Sequence, residues 1–264
     1  MIWTLYKIEL YKMGKRLATW ITVLCFAVLI TFMFGSYYYN GLKYDNVYFG
    51  FPNAWPNILS DGAFLADIFS AVLITLLVAS EFDWRTSRQN IMDGLSKGQW
   101  FTAKLLLLPT IAVLFYGLQV IFAGTLAWLG TNPEIENAYT MSSIQFLAIA
   151  GVIVGVLCYS SIAMLVSLIT RSAGPALGVT IIYQVFENLT TRTLRGFGLD
   201  TLADCFPFQV HLALFKYNQY LPDGSEARSK LDVLWDTNLL FAAGIGWIAV
   251  FVIASWLAYW KRDL

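Results

Sequence analysis

Six strongly apolar stretches, spread along the whole chain, constrain the fold more than any other feature: residues 17–39, 63–80, 105–129, 144–169, 175–188 and 239–260. Apolar residues make up 58 % of the chain and charged residues 13 %. A water-soluble core cannot hide that much apolar surface without a larger polar shell. A helix needs about 20 residues to cross roughly 30 Å of hydrocarbon. Four stretches reach that length easily, 63–80 is marginal and carries Asp67 near its start, and 175–188 is short. Lipid tolerates only helices or closed barrels, and these runs are continuous rather than alternating. The expectation is an all-α integral membrane protein with six transmembrane helices.

Charge sets an expected orientation. With the N-terminus cytoplasmic and six crossings, the cytoplasmic pieces are 1–16, 81–104, 170–174 and 261–264, which hold eleven basic and five acidic residues. The remainder holds six basic and twelve acidic residues. Basic residues retained in short cytoplasmic loops fix topology, so both termini are expected inside. The first sixteen residues lack the pattern of a cleaved signal peptide. Cys25, Cys158 and Cys205 are scattered, which gives no disulfide framework and no metal-ligand spacing.

Residues 1–16 read as a surface helix. Trp3, Tyr6, Leu10, Met13 and Leu17 recur at three- and four-residue steps, with Thr4, Lys7, Lys12 and Lys15 away from that stripe. Such a segment either lies in the inner interface or simply extends the first span. The aromatics around the outer loop, from Tyr37 through Tyr44, Tyr48 and Phe51 to Trp55, form either an interfacial belt or a binding surface. The longest cytoplasmic piece is 81–104. It is polar, helix-compatible from about residue 85 to 92, stopped by Asp93-Gly94, and able to start a second helix after Ser96. It is too long for a simple helix–helix turn.

The short inner loop 170–174 is followed by Pro175, which suits a first helical turn. Glu187 falls within the fifth stretch. Either it lines a polar cavity, or the helix breaks there and the chain turns outward early. Asn188, Thr190 and Thr191 favour the break, with Arg192 or Arg195 placed to neutralise the acid. The apolar island 202–215 is too short to cross and fits a re-entrant or interfacial segment. Gly151–Gly155 and Gly174–Gly178 have the small-residue spacing of close helix packing, within the chain or against a partner.

No G-x-x-x-x-G-K loop occurs, and His211, the sole histidine, reads as a surface residue. No catalytic constellation, metal site or cofactor site is legible, and nothing points to nucleic acid. The chain is not expected to be an enzyme by itself.

The order of these features resembles a permease of the second, exporter-type class of ABC transporters. The likeness is concentrated in Glu81 closing the second span, the helix that follows, the run 94–101 and Lys104 opening the third span, together with the turn 167–178. Lys97 departs from the arginine common in that family. The resemblance implies one permease domain over 1–264. Its parts are an N-terminal amphipathic elbow helix (1–16), a cytoplasmic coupling helix in 81–104, and a long outer segment (189–236) that re-enters the membrane after a short fifth helix. It implies cytoplasmic ATPase subunits as partners, with ATP-Mg bound on them, and a second permease subunit, identical or homologous. Glu81, Arg85, Arg88, Gln89, Asn90, Asp93 and Ser96 are the expected ATPase-coupling residues, and Glu187 is the substrate-path candidate. Spans so poor in charge imply a hydrophobic or amphipathic cargo such as a lipid, peptide or drug-like compound, with resistance to membrane-active peptides as one use. The expected location is a bacterial inner membrane. An ATP-independent secondary transporter and a non-transporting scaffold or sensor are the competing readings.

Overall fold

The computed structural model describes residues 2–43, 49–52, 54–132, 134, 139, 143–215 and 236–261. Among these the regular elements are all helical: α1 (Ile2–Lys15), α2 (Leu17–Lys43), α3 (Ala54–Ser60), α4 (Ala63–Asp83), α5 (Thr86–Met92), α6 (Lys97–Leu105), α7 (Leu107–Gly130), α8 (Ser143–Thr170), α9 (Ala173–Gly196), α10 (Asp200–Asp204), α11 (Pro207–Phe215) and α12 (Thr237–Trp260). Five helical stretches are long and apolar enough to cross a membrane: Leu17–Lys43, Asn57–Asp83, Lys97–Gly130, Phe146–Thr170 and Asn238–Trp260. The chain is a multi-pass membrane protein on that basis. Tyr44, Tyr48 and residues 216–235 of the expected outer segment (189–236) lie outside the described residues.

Local chemistry sets the breaks. Pro109 lacks an N–H and its ring crowds the carbonyl four residues back, at Leu105, where α6 ends and α7 begins. Arg85 sits in the left-handed region (φ 56°), which stops α4 and turns the chain into α5. Gly94 (φ +99°) closes α5, with Leu95 N–H donating to Asn90 C=O and Gly94 N–H to Ile91 C=O. Ser96 and Gln99 then form a reciprocal capping box that starts α6. The expected stop and restart are both present.

Helices α4 and α8 form the centre of the bundle. α4 packs on α8, α7, α9 and α2, while α12 and α11 both lie against α8. Phe26 of α2, Phe69 of α4 and Phe115 of α7 meet with ring centroids 5.0–6.2 Å apart. The outward faces carry large apolar side chains, including Leu24, Val28 and Phe32 on α2 and Val250, Ile253 and Leu257 on α12. In α1, Tyr6, Leu10 and Met13 pack against the core, whereas Trp3 and Leu17 at the ends of the expected stripe stay exposed.

The fifth helix corrects the sequence reading. α9 does not break at Glu187 but runs on to Gly196, 24 residues in all. The hydroxyls of Thr190, Thr191 and Thr193 donate to the carbonyls of Phe186, Asn188 and Leu189, so this polar run is satisfied inside the helix. The stop comes later, at Gly198 (φ +76°), where Leu199 N–H donates to Leu194 C=O and Gly198 N–H to Arg195 C=O. α9 is also amphipathic in an inverted sense. Thr180, Gln184, Glu187 and Thr191 are buried against the bundle, while Ile181, Ile182, Val185, Phe186 and Leu189 face outward.

Candidate functional site

One end of the bundle gathers most of the residues singled out from sequence. The C-terminal turn of α4, helix α5, helix α6 and the α8–α9 turn converge there with α1. Glu81, expected among the coupling residues, is not at the surface and takes partners other than Arg85 one turn on. α4 ends at Asp83 and Arg85 is left-handed, so the four-residue helical spacing is lost. Glu81 instead points inward, 1 % exposed. Its Oε1 accepts from Lys104 Nζ at 2.5 Å and its Oε2 from Trp100 Nε1 at 2.8 Å.

Lys104 is equally buried and also donates to Glu9 Oε2 of α1. Lys12, half-exposed, donates to Glu9 Oε1 at 2.8 Å and stands 3.6 Å from Glu81. Two acids and two cations thus form a neutral cluster, which burial requires. Burial raises the Glu9 carboxyl, but Lys104 and Lys12 outweigh it and hold the group below its ordinary range. Burial likewise lowers the Lys12 ammonium, and Glu9 and Glu81 overcome that to hold it above its ordinary range. Trp100 stacks on Tyr259 of α12 at 4.7 Å, which extends the cluster to the last helix. The cluster welds α1, α4, α6 and α12 into one unit at this end. Its members at Glu9 and Lys12 escape a sequence reading, since they lie nearly a hundred positions from Lys104.

On that base stands α5. Arg85, Arg88, Gln89, Asp93 and Ser96 are exposed, and Asn90 is half-buried. Two hollows flank the helix. Asn90 and Asp93 face a groove of about 360 Å³ whose far wall is α1, through Leu5, Ile8 and Lys12. Arg85 and Arg88 face a second hollow of about 340 Å³ shared with Arg171 of the α8–α9 turn. Asp83 Oδ2 accepts from Ala173 N–H at 3.1 Å and so ties α4 to the start of α9. The surface is polar and backed by the buried charge cluster. Six of the seven expected coupling residues remain accessible on it, and Glu81 is a strut behind it.

A second polar cluster lies within the bundle. His211, expected at the surface, is 3 % exposed, and its Nε2 is 2.6 Å from Asp67 Oδ2. α11 packs so tightly on α8 that a methyl at Gly155 would fall inside the His211 ring, and one at Gly151 would lie 3.0 Å from Leu214 C=O. That glycine pair therefore serves packing within the chain, whereas a methyl at Gly174 or Gly178 would meet nothing within 4 Å among the described residues. Glu187, 2 % exposed, accepts from Phe208 N–H at 2.7 Å and caps the start of α11. Of its two expected arginine partners, Arg192 is exposed and Arg195 is engaged elsewhere. Arg195 donates to Asp204 Oδ1 at 2.8 Å and to Gln209 Oε1 at 3.2 Å. The only signals for the His211–Asp67 pair in the sequence are two ionisable groups set in apolar runs. The void beside it, lined by Cys158, Tyr183 and Phe208, is about 10 Å³, too small for a substrate in this conformation.

Among the described residues no cluster of His, Cys, Asp and Glu is arranged to hold a metal ion. No protein of curated function matches the chain. A family model described as "Protein of unknown function (DUF2705)" matches residues 22–264, which takes in α3 to α12 and α2 from Thr22 onward, and the chain belongs to that family.

Proposed function

We propose that this chain is the membrane-spanning subunit of an ATP-driven exporter, a permease of the second ABC exporter class that works with separate ATPase subunits. The observation that carries the reading is α5, a short polar helix held out between two span-length helical stretches and backed by a buried, neutral charge cluster. A transmission part needs such a rigid contact, because partner motion is otherwise lost in the loop. On this reading α9 is the sixth crossing, since its buried polar stripe and outward apolar face suit lipid on one side and protein on the other. At about 1.5 Å per residue its 24 residues suffice to span. α1 is the elbow helix, and α10 and α11 are the segment that turns back. Both termini and α5 face the cytoplasm of a bacterial inner membrane.

The partners are cytoplasmic ATPases carrying ATP-Mg and a second permease subunit, for which the open Gly174–Gly178 face of α9 leaves room. The cargo is hydrophobic or amphipathic. The contact surface consists of Arg85, Arg88, Gln89, Asn90, Asp93 and Ser96, and Glu187 is a substrate-path residue only if α11 moves away from α9. One observation favours a second reading, an ion-coupled transporter with no ATPase: the buried Asp67–His211 pair.

The two readings separate in reconstituted vesicles. Purification in mild detergent is expected to bring along an ATPase chain, and transport is expected to need its ATP. Arg88→Glu or Asp93→Lys is expected to leave hydrolysis running while transport falls. Transport by the chain alone, or ATPase binding and stimulation unchanged in both variants, removes the ATP-driven reading.

A further inference from the structure

We propose that the arginine-lined hollow between α5 and the α8–α9 turn binds a phosphate-type oxyanion, supplied by the headgroup of a phospholipid. Its lining is Glu81, Phe82, Arg85, Ser87, Arg88 and Arg171. Glu81 brings no free negative charge, because Lys104 neutralises it from behind. The wall facing the hollow therefore presents three guanidinium groups. Neither Arg85 nor Arg88 forms an ion pair among the described residues. Arg171 stacks over Phe82, its guanidinium carbon 5.5 Å from the ring centroid, so the planar group is held in place rather than free to swing. Planar guanidinium forks match the geometry of phosphate oxygens.

Ser87 closes the floor of the hollow, 1 % exposed and beside Tyr259 of α12. The volume, about 340 Å³, is many times the roughly 30 Å³ of one water and takes a headgroup.

The surroundings favour a lipid over a soluble phosphate. Trp84, adjoining Arg85, is 64 % exposed and lies under the Arg16 guanidinium at 5.2 Å. Arg16 also donates to Leu76 C=O and to Ser80 Oγ of α4. A Trp–Arg pair at the end of a membrane helix marks headgroup level. Headgroups line both leaflets, so the inference needs only a bilayer. It stands or falls separately from the ATP-driven reading.

The test uses the full chain in nanodiscs of phosphatidylcholine mixed with phosphatidylglycerol, released for native mass spectrometry. A second arm adds inorganic phosphate to lipid-depleted protein and follows thermal unfolding. The wild type is expected to retain phosphatidylglycerol over phosphatidylcholine, and Arg171→Gln and Arg85→Gln to weaken that preference about tenfold each. Lys15→Gln, on the exposed part of α1, is expected to keep it. Two arginine variants guard against one that misfolds. Stabilisation by phosphate alone, lost in the same variants, supports the oxyanion site and assigns it to a soluble ligand. Equal retention of the two lipids with no phosphate effect overturns the proposal. So does retention unchanged in both arginine variants, including the case where those variants lose only the binding of an acidic partner protein.

Discussion

Lys104 shows how much a single buried charge demands. It lies between the carboxylates of Glu81 and Glu9, which brings α4 and α1 to the foot of α6. Breaking a buried pair from one side leaves an uncompensated charge and costs about 3–5 kcal/mol. Lys104→Met is therefore expected to lower the unfolding temperature in detergent sharply. Lys12→Met, at a half-exposed position, is expected to cost less than about 1 kcal/mol. Equal effects of the two contradict the arrangement. Acid tests the same cluster in another way. The Glu9 carboxyl sits below its ordinary value of 4.5 when folded, so the stability it contributes is complete above 4.5 and is lost as pH falls through the folded value. Lys12 sits above its ordinary 10.5, and its contribution is complete below 10.5 and lost as pH rises through the folded value. Unfolding temperatures followed against pH are expected to show no slope from these two groups between those limits. Glu9→Gln is expected to flatten the acid limb.

At the scale of elements, close approach decides where α11 lies. Gly155 is the one position on α8 that lets the His211 ring through to Asp67. Gly155→Ala puts a methyl 1.5 Å from Nδ1 of that ring, which Asp67 holds in place, so α11 must lift from α8. Cys205, half-buried just ahead of α11, reports the change. In a chain with Cys25 and Cys158 replaced, Gly155→Ala is expected to speed maleimide labelling of Cys205 several-fold. Gly124→Ala, which meets nothing within 4 Å, is expected to leave it alone. Labelling unchanged by Gly155→Ala excludes the close contact. The same region shows where sequence legibility ends. Asp93-Gly94 and Ser96 announce the end of α5 and the start of α6 through purely local chemistry, and both stand where expected. The sequence alone puts His211 at the surface and Glu81 on a contact face, and the structure buries both against partners, Asp67 and Lys104, that are distant in sequence. Nothing local says that an isolated histidine has a carboxylate waiting 144 positions away.

The whole molecule follows from apolar periodicity with one exception. Five of the six stretches reappear as span-length helices because their apolar character is continuous. The fifth stretch looks short because α9 carries a polar residue every three or four positions, and those residues turn inward. Averaging along the chain dilutes the outward apolar face with the inward polar one, so length is underestimated just where a membrane helix lines a polar interior. Orientation tests the molecule as one piece. α7 alone runs 24 residues from Leu107 to Gly130, about 36 Å at 1.5 Å per residue, more than the roughly 30 Å of hydrocarbon. Ser96 and Asn132, both exposed, therefore mark opposite faces. In a cysteine-free background expressed in bacteria, Asn132→Cys is expected to react with a membrane-impermeant maleimide in intact cells. Ser96→Cys is expected to react only after lysis. The reverse pattern puts α5 outside the cell, beyond the reach of any cytoplasmic ATPase, and takes the ATP-driven reading with it, while the phospholipid site at the same end of the bundle would keep its chemistry.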